Sequence, residues 1–134
     1  MIKPTEASSK PVVEFDRRSE NDCFWTLVMS NPDGHFTEDN SEYLHWMVGN
    51  IPSIPNPSNG EKNAESHDVD ITSIGNTICP YLQPFPPSGT GFHRFVFILY
   101  QHVSKYPTST NISNHNLFYL KTLLPCRKTM LLFI

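Results

Sequence analysis

Residues 86–94 read Pro-Pro-Ser-Gly-Thr-Gly-Phe-His-Arg and run directly into the most apolar segment of the chain, Phe92–Tyr100. Most positions on both faces of that segment are apolar, which is typical of a central strand covered on both sides. His93 and Arg94 break the pattern at its start, and a polar group entering an apolar strand is costly unless it has a partner. The stretch therefore predicts a buried β-strand with a polar site at its beginning.

Three further segments have the composition of strands. Cys23–Ser30 is rich in aromatic and β-favouring residues and stops at an Asn-Pro-Asp-Gly turn. Tyr43–Ile51 alternates with a period of two residues, and Val12–Phe15 is a shorter alternation that suggests an edge strand. Short strands joined by loops rich in Pro and Gly predict a mainly β fold, arranged as a sandwich. In the second strand we expect one face to carry Leu44, Trp46 and Val48, and the other Tyr43, His45, Met47 and Gly49.

Composition argues against several classes of protein. The formal net charge is −3 and the basic residues do not cluster, so nothing in the composition predicts contact with nucleic acid. The longest apolar runs, Phe95–Tyr100 and Met130–Ile134, fall far short of the roughly 20 residues that a membrane-spanning helix needs. The three cysteines form no CxxC pair and predict reduced thiols in an intracellular compartment. Because the first residues lack a secretory or mitochondrial targeting pattern, we expect either a cytosolic protein or a start that is not the natural one.

Polar residues at turns and strand ends could form a binding site. Asp33 lies in the turn after the Cys23–Ser30 strand, His45 lies within the Tyr43–Ile51 strand, and His93 and Arg94 lie at the start of the Phe92–Tyr100 strand. Two imidazoles, one carboxylate and the backbone N–H groups of residues 89–91 would suit a small anion such as phosphate. The same residue types could bind a metal ion, and Arg94 could instead hold the Asp33 carboxylate.

No arrangement of a nucleophile beside a base emerges, so the sequence predicts no catalytic residues and no enzyme. We expect His35 to be a solvated loop residue, whereas His45 fits a structural role and a pocket role equally well. A group of aromatic residues is expected to belong to the core rather than to a base-stacking surface. The group consists of Tyr81, Phe85, Phe92, Phe95 and Phe97.

Three motifs follow one another in order: Asn31-Pro-Asp33, His45 before Asn50, and Pro86–Arg94. This series resembles that of the phosphatidylethanolamine-binding-protein (PEBP) family. The resemblance implies a PEBP-like β-sandwich with a small anion pocket at one end, and with no cofactor and no metal. By matched motif it assigns to that pocket Asp33, His45 and His93, with Pro86, Gly89 and Gly91 shaping its rim.

A finer resemblance is to the family member that belongs to the mitochondrial large ribosomal subunit. The residues behind it are Trp25–Leu27, Asn31–His35, Glu42–Trp46, Asn50–Pro52 and Pro80–Pro87. This resemblance implies a structural protein of the mitochondrial matrix, with ribosomal proteins and also rRNA as candidate partners. Asn31 replaces the first Asp of the family's usual pair, and Phe95 stands where many members have Tyr. We therefore expect the pocket to be vestigial.

The alternative function is that of a cytoplasmic binding or regulatory module that captures the phosphatidylethanolamine headgroup or another anion. For the organisation of the chain we expect a flexible segment at 1–11, a partial PEBP-like domain at 12–106 and a divergent tail at 107–134. The domain includes a long polar loop at 52–76. The tail has leucines at helical spacing from 117 to 124. Because the PEBP-like domain resembles only part of the family pattern, we expect it to be incomplete at its C-terminus.

Overall fold

The computed structural model of the protein describes residues 3–19, 21–33, 42–55 and 70–105, together with the backbone of 127–133. The secondary structure of the described residues consists of two short 3-10 helices, η1 (Pro4–Ala7) and η2 (Ile71–Ser73), and of β-strands joined by loops. The prediction of a mainly β fold is therefore confirmed. The strands are β1 (Arg18–Ser19), β2 (Phe24–Asn31), β3 (Tyr43–Pro52), β4 (Ile54–Pro55), β5 (Asn76–Cys79), β6 (Val96–His102) and β7 (Arg127–Phe133).

One antiparallel sheet organises the described part of the chain. Its strand order is β5-β3-β2-β6-β7, so β2 and β6 lie in the interior of the sheet. The short strands β1 and β4 pair separately and in parallel. Residues Trp25 to Asn31 of β2 are all buried, because β2 has a partner strand on each side and side chains packed on each face. This central strand positions the turn that follows it.

Two of the predicted strands are confirmed with nearly the expected limits, as β2 and β3. The third is also an interior strand, but β6 begins at Val96 and not at Phe92. The delay has a physical reason, since the backbone N–H of Arg94 donates to the Asp33 carboxylate and is not available to the sheet.

The edge strand predicted at Val12–Phe15 is wrong. Within that segment the backbone makes one inter-segment hydrogen bond, from Ile71 N to Val13 O at 3.0 Å, and no ladder forms. The side chains of Val13 and Phe15 nevertheless pack against the core. The apolar alternation of this segment therefore indicated side chains that pack on the core. The segment lacks the repeated backbone pairing that defines a strand.

The assignment of faces in β3 is confirmed for Trp46 and Val48 on one face and Met47 on the other. It is wrong for Leu44, because β3 contains an extra residue relative to β2 between Leu44 and Trp46. Met29 lies opposite Trp46 while Ser30 lies opposite Leu44, so His45 has no counterpart in β2. Such a bulge turns the following side chains to the other face of the sheet. As a result Leu44 joins the cluster on the face opposite to Trp46.

The core consists of two apolar clusters on the two faces of the sheet. Successive residues of β2 alternate between them, with Leu27 and Met29 in the larger cluster and Val28 in the smaller one. Each fully buried aliphatic side chain of this kind stabilises the fold by about 1.5–3 kcal/mol. Tyr81 packs against the larger cluster and donates its hydroxyl to the carbonyl of Ala7 at 2.7 Å.

The N-terminal segment has contacts with the sheet. Lys10 Nζ donates to Thr72 Oγ1 at 2.6 Å, pairs with Asp70 at 3.4 Å and lies 6.0 Å from the centre of the Trp46 ring. The flexibility expected for residues 1–11 stays a prediction, as does the divergence of 107–134. Residues 106–126, with the leucines at helical spacing, and residues 56–69 of the polar loop lie outside the described residues.

Residues 127–133 form the strand β7, which pairs with β6. No helix in the described part of the chain is long and apolar enough to span a membrane.

We predict that His102 makes the stability of the fold depend on pH. Its ring is buried, with Nε2 at 3.0 Å from Thr26 Oγ1 and Nδ1 at 2.7 Å from the Ser104 carbonyl. Burial lowers the pKa of His102 below its ordinary value of 6.5. The folded state thus binds this proton less readily than the unfolded state. The contribution of His102 to the free energy of unfolding is present above its unfolded pKa and is lost as pH falls through its folded pKa.

Urea unfolding followed between acidic and neutral pH measures this effect. The His102→Gln variant keeps hydrogen-bonding groups but does not titrate, so its unfolding free energy should decline less steeply below neutral pH. An equal slope for the wild type and the variant would contradict the prediction.

Candidate functional site

The candidate site lies where β2 ends and the chain approaches β6. Asn31 is the last residue of β2, and its Oδ1 accepts a hydrogen bond from Asp33 N at 3.0 Å. This local bond shapes the turn in the way that Asn side chains commonly do. The turn meets residues 93 and 94, which are distant in sequence, and brings two of the predicted site residues, Asp33 and His93, to one place.

Arg94 holds the Asp33 carboxylate with three groups. Its Nη2 donates to Oδ1 at 2.7 Å, its Nε to Oδ2 at 3.0 Å, and its backbone N to Oδ2 at 2.7 Å. The side-chain hydrogen bond from Arg94 is the largest cause that holds the pKa of Asp33 at about 2, below the model-compound value of 3.8. The alternative that Arg94 binds Asp33 is therefore what the structure shows. Asp33 is not left as an isolated charge for a ligand.

His93 is part of a chain of hydrogen bonds that reaches the glycine-rich turn. Asn31 Nδ2 lies 3.3 Å from His93 Nδ1, and His93 Nε2 lies 2.7 Å from Thr90 Oγ1. The Thr90 hydroxyl in turn donates to the carbonyl of Pro87 at 2.7 Å. Sequence reasoning identified His93 but missed Asn31 and Thr90 as its partners. The spacing of three residues between Thr90 and His93 is the signal that could have suggested the second contact.

His45 occupies the bulge of β3 and is buried, with 2% of its surface exposed. Its Nδ1 lies 2.9 Å from the carbonyl of Leu82, while Leu82 N donates to the His45 carbonyl at 2.8 Å. A carbonyl only accepts, so Nδ1 carries the proton of this bond. The ring also contacts Phe95 edge-to-face, with 5.0 Å between ring centres, and Phe85 at 5.4 Å.

Pro86, Gly89 and Gly91 are the residues predicted to shape the rim of the pocket, and this assignment stays a prediction. Gly89 has φ of 84° and Gly91 has φ of 80°, a backbone conformation that favours glycine. A Cβ at either position would meet no atom within 4 Å, so the requirement comes from the backbone and not from crowding. The two glycines thus allow residues 89–91 to turn back towards His93.

The aromatic residues near the rim do not all belong to the core. Phe95 is buried as expected, but 82% of Phe92 and 43% of Phe85 are exposed. The prediction of a core position is wrong for Phe92 and Phe85. For Phe92 the reason is that the strand begins only at Val96, so that Phe92 lies in the irregular segment between the turn and β6. Phe92 and Phe85 are therefore exposed aromatic side chains that the sequence did not reveal.

The structure thus brings Asp33 and His93 together through Asn31 and Arg94. His45 instead packs against Phe85 and against Phe95, which follows Arg94 in the chain. His35 lies outside the described residues. Among the residues that are described, no three His, Cys, Asp or Glu side chains form a group that could hold a metal ion.

The model of the family described as "Phosphatidylethanolamine-binding protein" matches residues 3–125. The chain belongs to the PEBP family. The match extends beyond residue 107, where the sequence had suggested a divergent tail.

Several plant proteins are similar to this PEBP-family chain. The protein MOTHER of FT and TFL1 homolog 2 of Oryza sativa subsp. japonica is 32% identical over 79% of the chain and 51% of its own length. FLOWERING LOCUS T of Arabidopsis thaliana is 32% identical over 78% of the chain and 50% of its own length. TERMINAL FLOWER 1 of the same plant is 35% identical over 86% and 56%, respectively. The chain spans about half the length of these relatives.

Removing the Arg94 side chain should raise the pKa of Asp33 from about 2 towards 3.8, because the side-chain hydrogen bond from Arg94 is the largest cause of the depression. The contribution of Asp33 to stability is present above its unfolded pKa and is lost as pH falls towards 2. Titration of the Asp33 carboxyl by NMR in Arg94→Ala measures the change. Arg18→Ala is the matched control, since Arg18 pairs with Asp16 elsewhere. An Asp33 titration that stays near 2 in Arg94→Ala would show that another group controls it.

Proposed function

We propose that this PEBP-family protein is a binding and regulatory module whose site takes a small phosphate-bearing anion, such as the phosphatidylethanolamine headgroup. No catalytic step is part of the proposal. The single observation that carries it is the neutralisation of Asp33, the one carboxylate among the predicted site residues, by Arg94. An anion approaching His93 and the turn at residues 89–91 therefore meets no uncompensated negative charge from that carboxylate.

The polar groups around the glycine turn support an anionic ligand. His93, the Thr90 hydroxyl and the backbone of the glycine turn lie together. Successive backbone N–H groups in a turn form concavities that bind anions. To bind the anion as well, the Thr90 hydroxyl and His93 Nε2 would exchange their present partners, the Pro87 carbonyl and Thr90 Oγ1, for the ligand. Asn31 contributes an uncharged amide at this place, which also avoids repulsion.

Two exposed aromatic side chains, Phe92 and Phe85, support a ligand with a lipid-like part. Phe92 is exposed and follows Gly91 directly, while Phe85 borders the ring of His45. Aromatic rings beside a polar site suit a molecule that carries a charged group on an apolar body. The family name refers to phosphatidylethanolamine, whose headgroup combines a phosphate diester with an ammonium group.

A regulatory role for the bound state is supported by the relatives, two of which have names that refer to flowering. Because the chain covers about half of their length, the activity and the partners of those proteins come to this chain only as part of the proposal. A cytoplasmic location belongs to the same proposal.

The expected role as a structural component of the mitochondrial large ribosomal subunit, with a mitochondrial location and a vestigial pocket, draws no support from these comparisons. It stays a hypothesis with a direct test. If it holds, the tagged chain should co-sediment with the mitochondrial large subunit on sucrose gradients. We expect the chain to remain in the unassembled fractions, and stable co-sedimentation after a high-salt wash would favour the ribosomal role instead.

Phosphoethanolamine should raise the thermal unfolding temperature of the wild type, since a ligand that binds only the folded state stabilises it. At about ten times its dissociation constant the ligand contributes ~1.4 kcal/mol, which raises Tm by roughly 3–6 °C. His93→Ala should abolish the rise. Arg18→Ala removes an exposed cation far from the site and should keep it.

Inorganic phosphate and ethanolamine, tested separately, identify the recognised group. A rise with phosphate and phosphoethanolamine alone indicates a phosphate site, and a larger rise with phosphoethanolamine indicates the headgroup. No rise with any of the three, in a folded sample at saturating concentrations, would overturn the proposal.

A further inference from the structure

The side-chain amide of Asn31 has a fixed orientation. Asn31 is buried, with 6% of its surface exposed, and its Oδ1 accepts the backbone N–H of Asp33 at 3.0 Å. A flip of the amide would place the NH2 group against that N–H, so that two donors would face each other. The Nδ2 donor is therefore the atom that faces His93.

This orientation determines which ring nitrogen of His93 carries the proton. Nδ2 is a donor only, so His93 Nδ1, at 3.3 Å, must act as the acceptor. A neutral imidazole with an unprotonated Nδ1 has its proton on Nε2. That proton points to Thr90 Oγ1 at 2.7 Å, and the Thr90 hydroxyl donates onwards to the Pro87 carbonyl at 2.7 Å.

In this series of hydrogen bonds each donor points away from β2 and towards the glycine turn. In the other tautomer of His93, Nε2 would be an acceptor. The Thr90 hydroxyl would then donate its hydrogen bond to Nε2 and would no longer donate to the Pro87 carbonyl. The turn at 89–91 depends on that bond, because the only other described link within it is Thr90 N to the Pro87 carbonyl at 3.3 Å.

We propose that Asn31 is a positioning residue, which fixes His93 as the Nε2–H tautomer and thereby holds the Gly89–Gly91 turn that borders the candidate anion site. The assignment of a ligand to that site rests on the proposed function. The tautomer and the geometry of the turn do not, so they can be measured without any ligand.

The decisive variant is Asn31→Asp, which has nearly the same shape and keeps an oxygen for Asp33 N. Its carboxylate can only accept from His93, so Nδ1 must become protonated. Nitrogen-15 NMR of the imidazole at about pH 8.5, above the ordinary pKa of histidine, separates the two states. We expect the wild type to show a pyrrole-like Nε2 and a pyridine-like Nδ1. The variant should show a pyrrole-like Nδ1, with shifted amide signals for Gly89, Thr90 and Gly91.

Asn50→Asp is the matched control, since Asn50 is also 6% exposed and its Nδ2 bonds Asn76 Oδ1 at 3.2 Å, away from His93. It should leave the His93 signals unchanged. The proposal fails if wild-type Nδ1 is pyrrole-like, if Asn31→Asp leaves Nδ1 pyridine-like, or if both variants change His93 equally.

If Asn31→Asp does not fold, the wild type alone decides. A pyridine-like Nδ1 with a nuclear Overhauser contact between the Asn31 amide protons and the His93 ring supports the proposal, and a pyrrole-like Nδ1 overturns it. If the tautomer reverses as expected while phosphoethanolamine never raises Tm, the proposed function fails and the role of Asn31 stands.

Discussion

Strand β2 is held between β3 and β6 along its whole length, and its residues from Trp25 to Asn31 are buried. Its pairing with both neighbours determines where the following turn emerges, because Ser30 lies opposite Leu44 on one side and Val96 on the other. The rest of the described structure depends on this pairing. It brings the end of one strand to the beginning of another that follows more than 60 residues later in the chain.

Buried polar groups accompany this pairing and each described one has a partner, apart from Trp25 Nε1. His45 in the bulge of β3 bonds the backbone of Leu82, and His102 at the other end of the sheet bonds Thr26 and Ser104. An unpaired buried polar group costs about 1–3 kcal/mol. These bonds therefore restrict how the loops can pack, and they give the two ends of the sheet different chemistry.

At the site, Asn31 and Asp33 bind different partners. The carboxylate of Asp33 binds Arg94 and fixes the start of the approach to β6, while the amide of Asn31 bonds His93. The replacement of an acid by Asn31, which suggested a lost function in the sequence, thus has a described role here. The neutral amide of Asn31 and the compensated charge of Asp33 are the features on which the proposed binding module rests.

The sequence by itself determined that the protein is mainly β, where β2 and β3 lie, that β6 is an interior strand, and which family the chain belongs to. These properties follow from local composition, from alternation and from ordered motifs. Tertiary structure alone decided that Leu44 faces away from Trp46, that Arg94 binds Asp33, that Asn31 bonds His93 and that Phe92 is exposed. Each of these depends on which distant segment meets the residue and in what register. Local preferences do not fix that register, because a single extra residue in a strand reverses the faces of the side chains beyond it.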